Sequence, residues 1–269
     1  MIDVPKISII TPSFNQAEFL ERTLLSVHDQ GYSNLEHIVI DGGSTDGSVD
    51  IIKKYQSRLA YWVSEPDKGQ VDAINKGLKR ATGEWVAWQN SDDIYYPGAF
   101  HGLAKAASQN SGVDLIIGNM MLIDQADRNL RDIHYVVPTY KSLLAEGMVL
   151  TNQAAFWRRS VHNEISWLNE SLHYSFDYEW FLRLIKGRKA AHVNETWGGY
   201  RLHEATKTNN FEERFIQERK EIMQGRMLPA WLKRLYQVRR LGLMVAQGDF
   251  FYIARGLLRR ISGKDEELY

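Results

Sequence analysis

The chain has 269 residues, 44% of them hydrophobic, with 33 Lys and Arg set against 33 Asp and Glu and no cysteine. A chain of this size buries about three quarters of the surface it exposes when unfolded, so a full core forms without covalent staples. The charge balance argues against a surface built for nucleic acid, and the lack of cysteine excludes disulfides, thiolate metal sites and cysteine nucleophiles.

No run reaches the roughly 18 apolar residues of a spanning helix, and Met1 to Lys6 lacks the regions of a signal peptide. These features predict a soluble, cytoplasmic chain. Charge is nevertheless uneven along it: residues 1–204 hold 20 basic and 25 acidic side chains, whereas residues 226–264 hold nine basic and one acidic.

Lys6 to Thr11 is a short β-branched run halted by Pro12, which reads as a buried first strand. A helix with Phe19, Leu20, Leu24 and Val27 on one face follows, then a strand over Leu35 to Ile40 that ends in the turn-rich Asp41 to Gly47. Val49, Ile52 and Tyr55 mark the next helix, Ala60 to Ser64 a third strand, and Val71, Ile74 and Leu78 another helix. Glu84 to Gln89 reads as strand four, running into Asn90-Ser91-Asp92-Asp93. Later come an apolar stretch at Asp114 to Asp124, a strand at Asn152 to Trp157, a helix over Phe176 to Ile185 and a strand around Trp197 to Leu202. Alternating strands and helices predict an α/β fold with a mostly parallel central sheet, and ligands in such sheets sit beyond the carboxyl ends of the strands. The polar clusters at Thr11 to Asn15, Asp41 to Asp46 and Asn90 to Asp93 lie at those ends.

No glycine-rich dinucleotide or P-loop motif follows the first strand, so any phosphate charge is met by other means. Asp92 and Asp93 at a strand end suit a hard divalent cation shared with substrate phosphates, and equally suit turn or cap roles. Likewise, Asp41 beside Gly42 and Gly43 is read from its neighbours as a turn former.

Six segments taken together resemble the inverting family-2 glycosyltransferases of the GT-A fold: Ile7 to Asn15, Glu36 to Ser48, Ser64 to Gly77, Gly83 to Asp93, Asn169 to Leu184 and Tyr200 to Thr208. The resemblance covers about Lys6 to Thr208 and implies a catalytic domain over residues 1–208, with a basic helical appendage over residues 209–269. It implies transfer of a sugar from a nucleoside-diphosphate donor, a UDP-sugar, to a hydroxyl of a saccharide or lipid-linked saccharide, with Mg²⁺ or Mn²⁺ as cofactor. It further implies that Thr11, Pro12, Ser13, Asn15, Asp41 and Ser91 belong to the nucleotide site, that Lys68, Asp72 and Asn75 stand near its phosphates, and that Asp92 lies either nearer the ribose or behind the direct metal ligand. In the same way Asp93 and His203 become metal ligands and Asp177 the general base. Asn90 departs from the family pattern, in which an acid starts this motif.

Some assignments stay open at this level. Glu179 competes with Asp177 for the base, and either role coexists with capping of the helix that carries Trp180. Gln153, Trp157, Trp167, Tyr174 and Trp180 are expected to shape the acceptor pocket, although buried aromatics more often form core. A polyprenyl phosphate acceptor, needing no base, and a non-catalytic nucleotide-sugar-binding partner are the alternative functions. At the C-terminus, Leu228, Trp231, Leu232 and Leu235, then Phe250, Ile253, Ala254, Leu257, Leu258 and Ile261, recur at helical spacing among basic residues. Two amphipathic helices follow, either docked on the inner face of an anionic membrane or packed on the body of the protein.

Overall fold

The computed structural model describes residues 4–204 and 212–261, so the Ala205 to Thr208 end of the last motif, and the expected boundary at residue 208, lie outside the described residues. The elements are β1 (Ile7–Ser13), α1 (Ala17–His28), β2 (Leu35–Asp41), α2 (Ser48–Tyr55), β3 (Tyr61–Ser64), α3 (Gln70–Arg80), β4 (Trp85–Trp88), β5 (Ile94–Tyr95), α4 (Ala99–Gln109), β6 (Leu115–Ile123), β7 (Asn129–Ile133), α5 (Tyr140–Glu146), β8 (Ala155–Arg158), α6 (Phe176–Ile185), β9 (Ala190–Arg201), α7 (Glu212–Met223), α8 (Ala230–Ala246) and α9 (Phe250–Ile261).

One sheet of nine strands runs β3-β2-β1-β4-β8-β6-β9-β5, with β7 on β6. The pairs among β3, β2, β1 and β4 are parallel, as the helical crossovers between them require. Beyond β4 the sheet is mixed: β8 runs antiparallel to both β4 and β6, and β6 and β9 are parallel. The expected mostly parallel sheet therefore describes its first half. The second half is mixed because β8 is inserted antiparallel between β4 and β6, and the short strands β5 and β7 add as antiparallel partners of β9 and β6.

Pro12 does not end β1, which pairs with β2 as far as Ser13 opposite Asp41. Even-numbered residues of β1 face β4, whose last bond to it runs from Gln89 N to Ile10 O, so the missing Pro12 N–H faces a flank that β4 has already left. All seven β1 residues are buried. Against this strand α3 packs closely enough that a Cβ on Gly77 would stand 2.4 Å from Ile10, which leaves glycine as the residue that fits.

The main core is aromatic. Trp85, Trp88, Trp157, Trp180 and Trp197 are wholly buried, with Trp88 stacked on Phe181 at 5.9 Å and Trp157 edge-on to Trp180 at 5.7 Å. The expectation that Trp157 and Trp180 shape an acceptor pocket is corrected by this packing: large apolar rings on the inward faces of β8 and α6 are held by each other. Trp167 stacks on His162 at 4.3 Å, away from the cleft described below.

A polar knot pins the start of the sheet. The Glu36 carboxylate accepts from Lys6 Nζ (2.8 Å), Ser8 Oγ (2.5 Å), Thr82 N (2.7 Å) and Thr82 Oγ1 (2.7 Å). Burial alone would push its carboxyl up; these donors win and hold it at about 2. A carboxyl held below its unfolded value stabilises the fold above the unfolded pKa and loses that contribution as pH falls through its folded pKa. Glu36→Gln is expected to lower stability at neutral pH by about 2 kcal/mol. In denaturant titrations the gap between variant and wild type should close as pH falls from about 4.5 towards 2.

Candidate active site

A cleft of about 880 Å³ opens beyond the carboxyl ends of β1, β2 and β4. Pro12, Ser13, Gly42, Pro66, Asp67 and Gln70 form one wall, and Trp88, Asn90, Ser91 and Asp92 form the floor. The far wall comes from Met120, Leu122, Ile133, Tyr135 and Tyr200 of the second half-sheet, and Tyr174, Phe176, Asp177 and Phe215 close the end.

On the first wall, Ser13 Oγ is buried without a hydrogen-bond partner among the described residues. Such an orphan lining a cleft is a ready contact for a polar ligand. Thr11 does not reach the cleft: it is fully buried, with Oγ1 2.9 Å from His37 Nε2. Asn15 sits outside as well, at a positive φ of 50°, where its Oδ1 accepts from Thr45 N and its own N–H donates to Ser44 Oγ. It ties the loop after β1 to the loop after β2. Asp41 is fully buried; Oδ2 accepts from Gly43 N, Ser44 N and Ser64 Oγ, and Oδ1 from Ser44 Oγ at 2.6 Å. The carboxylate thus builds its own turn, the local reading of Asp-Gly-Gly. Asp41 itself does not line the cleft; its neighbour Gly42 and Asp67 do. A Cβ on Gly42 would stand 2.8 Å from Asp67 Oδ2, so these two lie against each other on the wall.

The three residues expected near the phosphates separate. Lys68 is exposed on the rim, where its backbone N–H donates to Asp72 Oδ2 at 3.0 Å, and Asp72 pairs with Lys76 at 3.3 Å. Asn75 is buried and grips the segment before α6, donating to Leu168 O and Glu170 Oε1 and accepting from Leu168 N. None of them lines the cleft; the helix-start residue that does is Gln70, whose Nε2 donates to Asn90 Oδ1 at 2.9 Å.

The floor turn is held from three sides. Thr23 Oγ1 donates to Ser91 O (2.9 Å) and Asp93 O (2.7 Å), Arg201 Nε donates to Asp92 O (2.6 Å), and Gln153 Nε2 donates to Asp93 Oδ2 (2.8 Å). Asp93 points inward: it is 1% exposed, and its carboxylate also accepts from Asn90 Nδ2 and Arg201 N. Burial, and then the neighbouring Asp92 charge, push its carboxyl up. The carboxylate expected to ligate the metal is thus turned onto Asn90, Gln153 and Arg201 in this structure. Asp92 lines the cleft, and its Oδ2 lies 3.1 Å from His203 Nε2. Gln153 reaches the cleft edge, but its amide is committed to Asp93.

A divalent cation fits this pair only in part. Among the described residues no three acid or histidine side chains stand close enough to hold one alone. One carboxylate and one imidazole are hard and borderline donors that Mg²⁺ or Mn²⁺ accepts, with a substrate diphosphate and water completing the sphere.

Asp177 stands at the opposite end, in the first turn of α6, half-buried, with Oδ1 accepting from Tyr178 N at 2.7 Å. Burial raises its carboxyl to about 6 against the pull of local backbone N–H groups and Arg219. Glu179 turns to another face, where both its oxygens accept from Arg183 at 2.9 and 2.8 Å. Of the two acids, Asp177 is the one on the cleft.

Helix α7 supplies what the sequence did not suggest. Phe215 lines the cleft and meets Tyr174 edge-on at 5.4 Å. One helical turn later Glu218 accepts from three successive backbone N–H groups, those of His173 (2.8 Å), Tyr174 (2.9 Å) and Ser175 (2.8 Å), and so sets the loop that delivers Asp177. The charged run around Glu218 reads as an ordinary solvated helix, and no local signal marks it.

Comparison with known proteins agrees with this architecture. A family model described as glycosyl transferase family 2 matches residues 8–172. An uncharacterized glycosyltransferase of Mycobacterium tuberculosis is 34% identical over 186 residues, covering 68% of this chain and 70% of that one. Among solved structures, residues 1–349 of Staphylococcus aureus TarS in complex with UDP-GlcNAc superimpose with a TM-score of 0.68 at 18% identity, over 90% of this chain and 73% of that one. The mannosyltransferase PcManGT of Pyrobaculum calidifontis, in complex with GDP-Man and Mn²⁺, gives a TM-score of 0.62 at 16% identity, over 96% and 81%. The chain therefore belongs to glycosyl transferase family 2 and is a glycosyltransferase with the GT-A fold.

Proposed function

We propose that the chain transfers a sugar from a UDP-sugar to a hydroxyl of a saccharide or lipid-linked saccharide, with inversion at C1. The observation that carries this reading is the placement of two acids at opposite ends of one cleft: Asp92 beside His203 on the floor and Asp177 at the far end, with Asp67 on the first wall. Pro12, Ser13 and Asp67 would flank the nucleoside on the first wall. Asp92 and His203 would hold Mg²⁺ or Mn²⁺, which when bound offsets the charge that gathers on the departing diphosphate.

Asp177 takes the proton from the acceptor hydroxyl as its oxygen bonds to C1 and the bond from C1 to the diphosphate oxygen breaks. One base with no enzyme nucleophile means a single displacement, and hence inversion. The solved complexes of TarS with UDP-GlcNAc and of PcManGT with GDP-Man and Mn²⁺ support a nucleotide-sugar donor and a metal.

Calorimetric titration with UDP, GDP and dTDP, each with Mn²⁺ or with EDTA, tests the donor half of the reading. UDP should bind with Mn²⁺ and at least about tenfold more weakly in EDTA, and Asp92→Ala should abolish that difference. Failure of all three nucleotides to bind the folded protein would overturn the reading.

A further inference from the structure

We propose that α8 and α9 form a docking face for an anionic phospholipid bilayer. A surface helix ordinarily turns its apolar stripe inward and its charges to water. These two helices do the reverse over part of their circumference. On α8 the exposed residues are Trp231, Leu235, Val238, Leu241 and Val245; on α9 they are Phe250, Phe251, Leu257, Leu258 and Ile261. Each lies between 44% and 86% exposed, and at helical spacing each set covers one side of its helix.

The opposite sides are fixed to the body. On α8, Met244 is buried, Arg240 pairs with Glu146 at 2.6 Å, and the following Gln247 lies 2.9 Å from His192. On α9, Tyr252 stacks on His134 at 4.4 Å and Arg255 pairs with Asp132 at 2.5 Å. The stripes therefore face outward because their helices are anchored through other residues.

Charge selects the occupant. Residues 230–261 carry seven Lys and Arg, of which Arg240 and Arg255 are paired with acids of the body, and a single acid, Asp249, which is buried against His134. The charge this face presents is thus cationic, beside Trp, Phe and Leu side chains that partition into the headgroup boundary. Two copies packed face to face across a two-fold axis would set cations against cations, which disfavours self-association. Among the described residues no helix is long and apolar enough to cross a membrane, so the helices would lie in the plane of the interface.

The location suits a lipid-linked acceptor, a point that rests on the transferase reading. His134 and Asp132, which hold α9, alternate along the chain with Ile133 and Tyr135, which line the cleft. One segment thus separates the docking face from the far wall of the site.

The test is flotation of the full chain with vesicles of phosphatidylcholine alone and with roughly one third phosphatidylglycerol. The protein should float with the anionic vesicles at least about tenfold more than with the neutral ones, and less as salt rises from about 0.1 to 1 M. Phe251→Glu with Leu258→Glu, both on exposed side chains, should abolish flotation while UDP binding stays at the wild-type level. That control separates loss of docking from loss of the donor site, and a chain that docks but binds no nucleotide would spare this proposal while sinking the transferase reading. Equal flotation of variant and wild type, no flotation with either vesicle, or a dimer in sedimentation that the double variant dissolves without any vesicle binding would each overturn it.

Discussion

Asp177→Asn is expected to lower kcat by about 10²–10⁴-fold while leaving UDP affinity within about twofold, because the substitution removes the proton acceptor and keeps the shape. The wild-type rate should carry an acid limb: the base works as the carboxylate, its carboxyl sits at about 6, and activity therefore falls as pH drops below that value. The variant should show no such limb. Stability should move the other way. A carboxyl whose folded pKa lies above its unfolded value destabilises the fold where it is ionised, so stability falls as pH rises from about 4 to about 6. Removing the charge should raise stability at neutral pH by roughly 2 kcal/mol, with the gain disappearing near pH 4. Turnover close to wild type would mean that the acceptor nucleophile arrives already ionised, as a phosphate does, and would sink the base assignment.

Glu218 is expected to give the second largest effect, although it lies outside the cleft. Glu218→Ala leaves three backbone N–H groups without their acceptor, which should lower kcat by about 10–100-fold and stability by about 2 kcal/mol. Donor affinity should hold, since the clamp sits at the Asp177 end. Glu218→Gln separates positioning from mere support. It keeps an acceptor oxygen and removes a negative charge that helps to raise the Asp177 carboxyl, so it should recover much of kcat and move the acid limb to lower pH. A steady-state pH profile of both variants checks this. An unmoved limb in the Gln variant, with the Ala variant at wild-type kcat, would contradict it.

Legibility in the sequence followed the range over which each interaction acts. The first four strands were readable because each is a compact apolar run, and the ladder from Ile7 opposite Leu35 to Ser13 opposite Asp41 follows from them. Strands β5 and β7 were not readable: Ile94–Tyr95 has two residues, and Asn129–Ile133 carries polar side chains on a half-covered edge. The same contrast holds in the site. Pro12, Ser13 and Asp92 come from motifs whose geometry is local, and they line the cleft. Asp41 and Asp93 have the right chemistry at strand ends, and Asn75 has it within α3, yet their polar atoms are consumed by other protein groups: Asp41 by its own turn and Ser64, Asn75 by Leu168 and Glu170. Asp93 accepts from Gln153 and Arg201, 60 and 108 residues away. Neither spacing nor residue type reports which carboxylate of an Asp-Asp pair turns inward. Glu218 was invisible for the same reason, since its role exists only when α7 lies along the loop before α6.

The three-sided grip on the floor turn bears on how the enzyme is made. Thr23, Gln153 and Arg201 reach the segment 91–93 from early, middle and late points of the chain. Loops of this length close late, so a polypeptide emerging from the ribosome can form β1 to β4 long before the donor floor is locked. The lock completes only when Arg201 has left the exit tunnel, shortly before α8 and α9 follow. A chain that stops short of Arg201 therefore lacks one of the three grips, and the floor turn is fully held only after both halves of the sheet have been made.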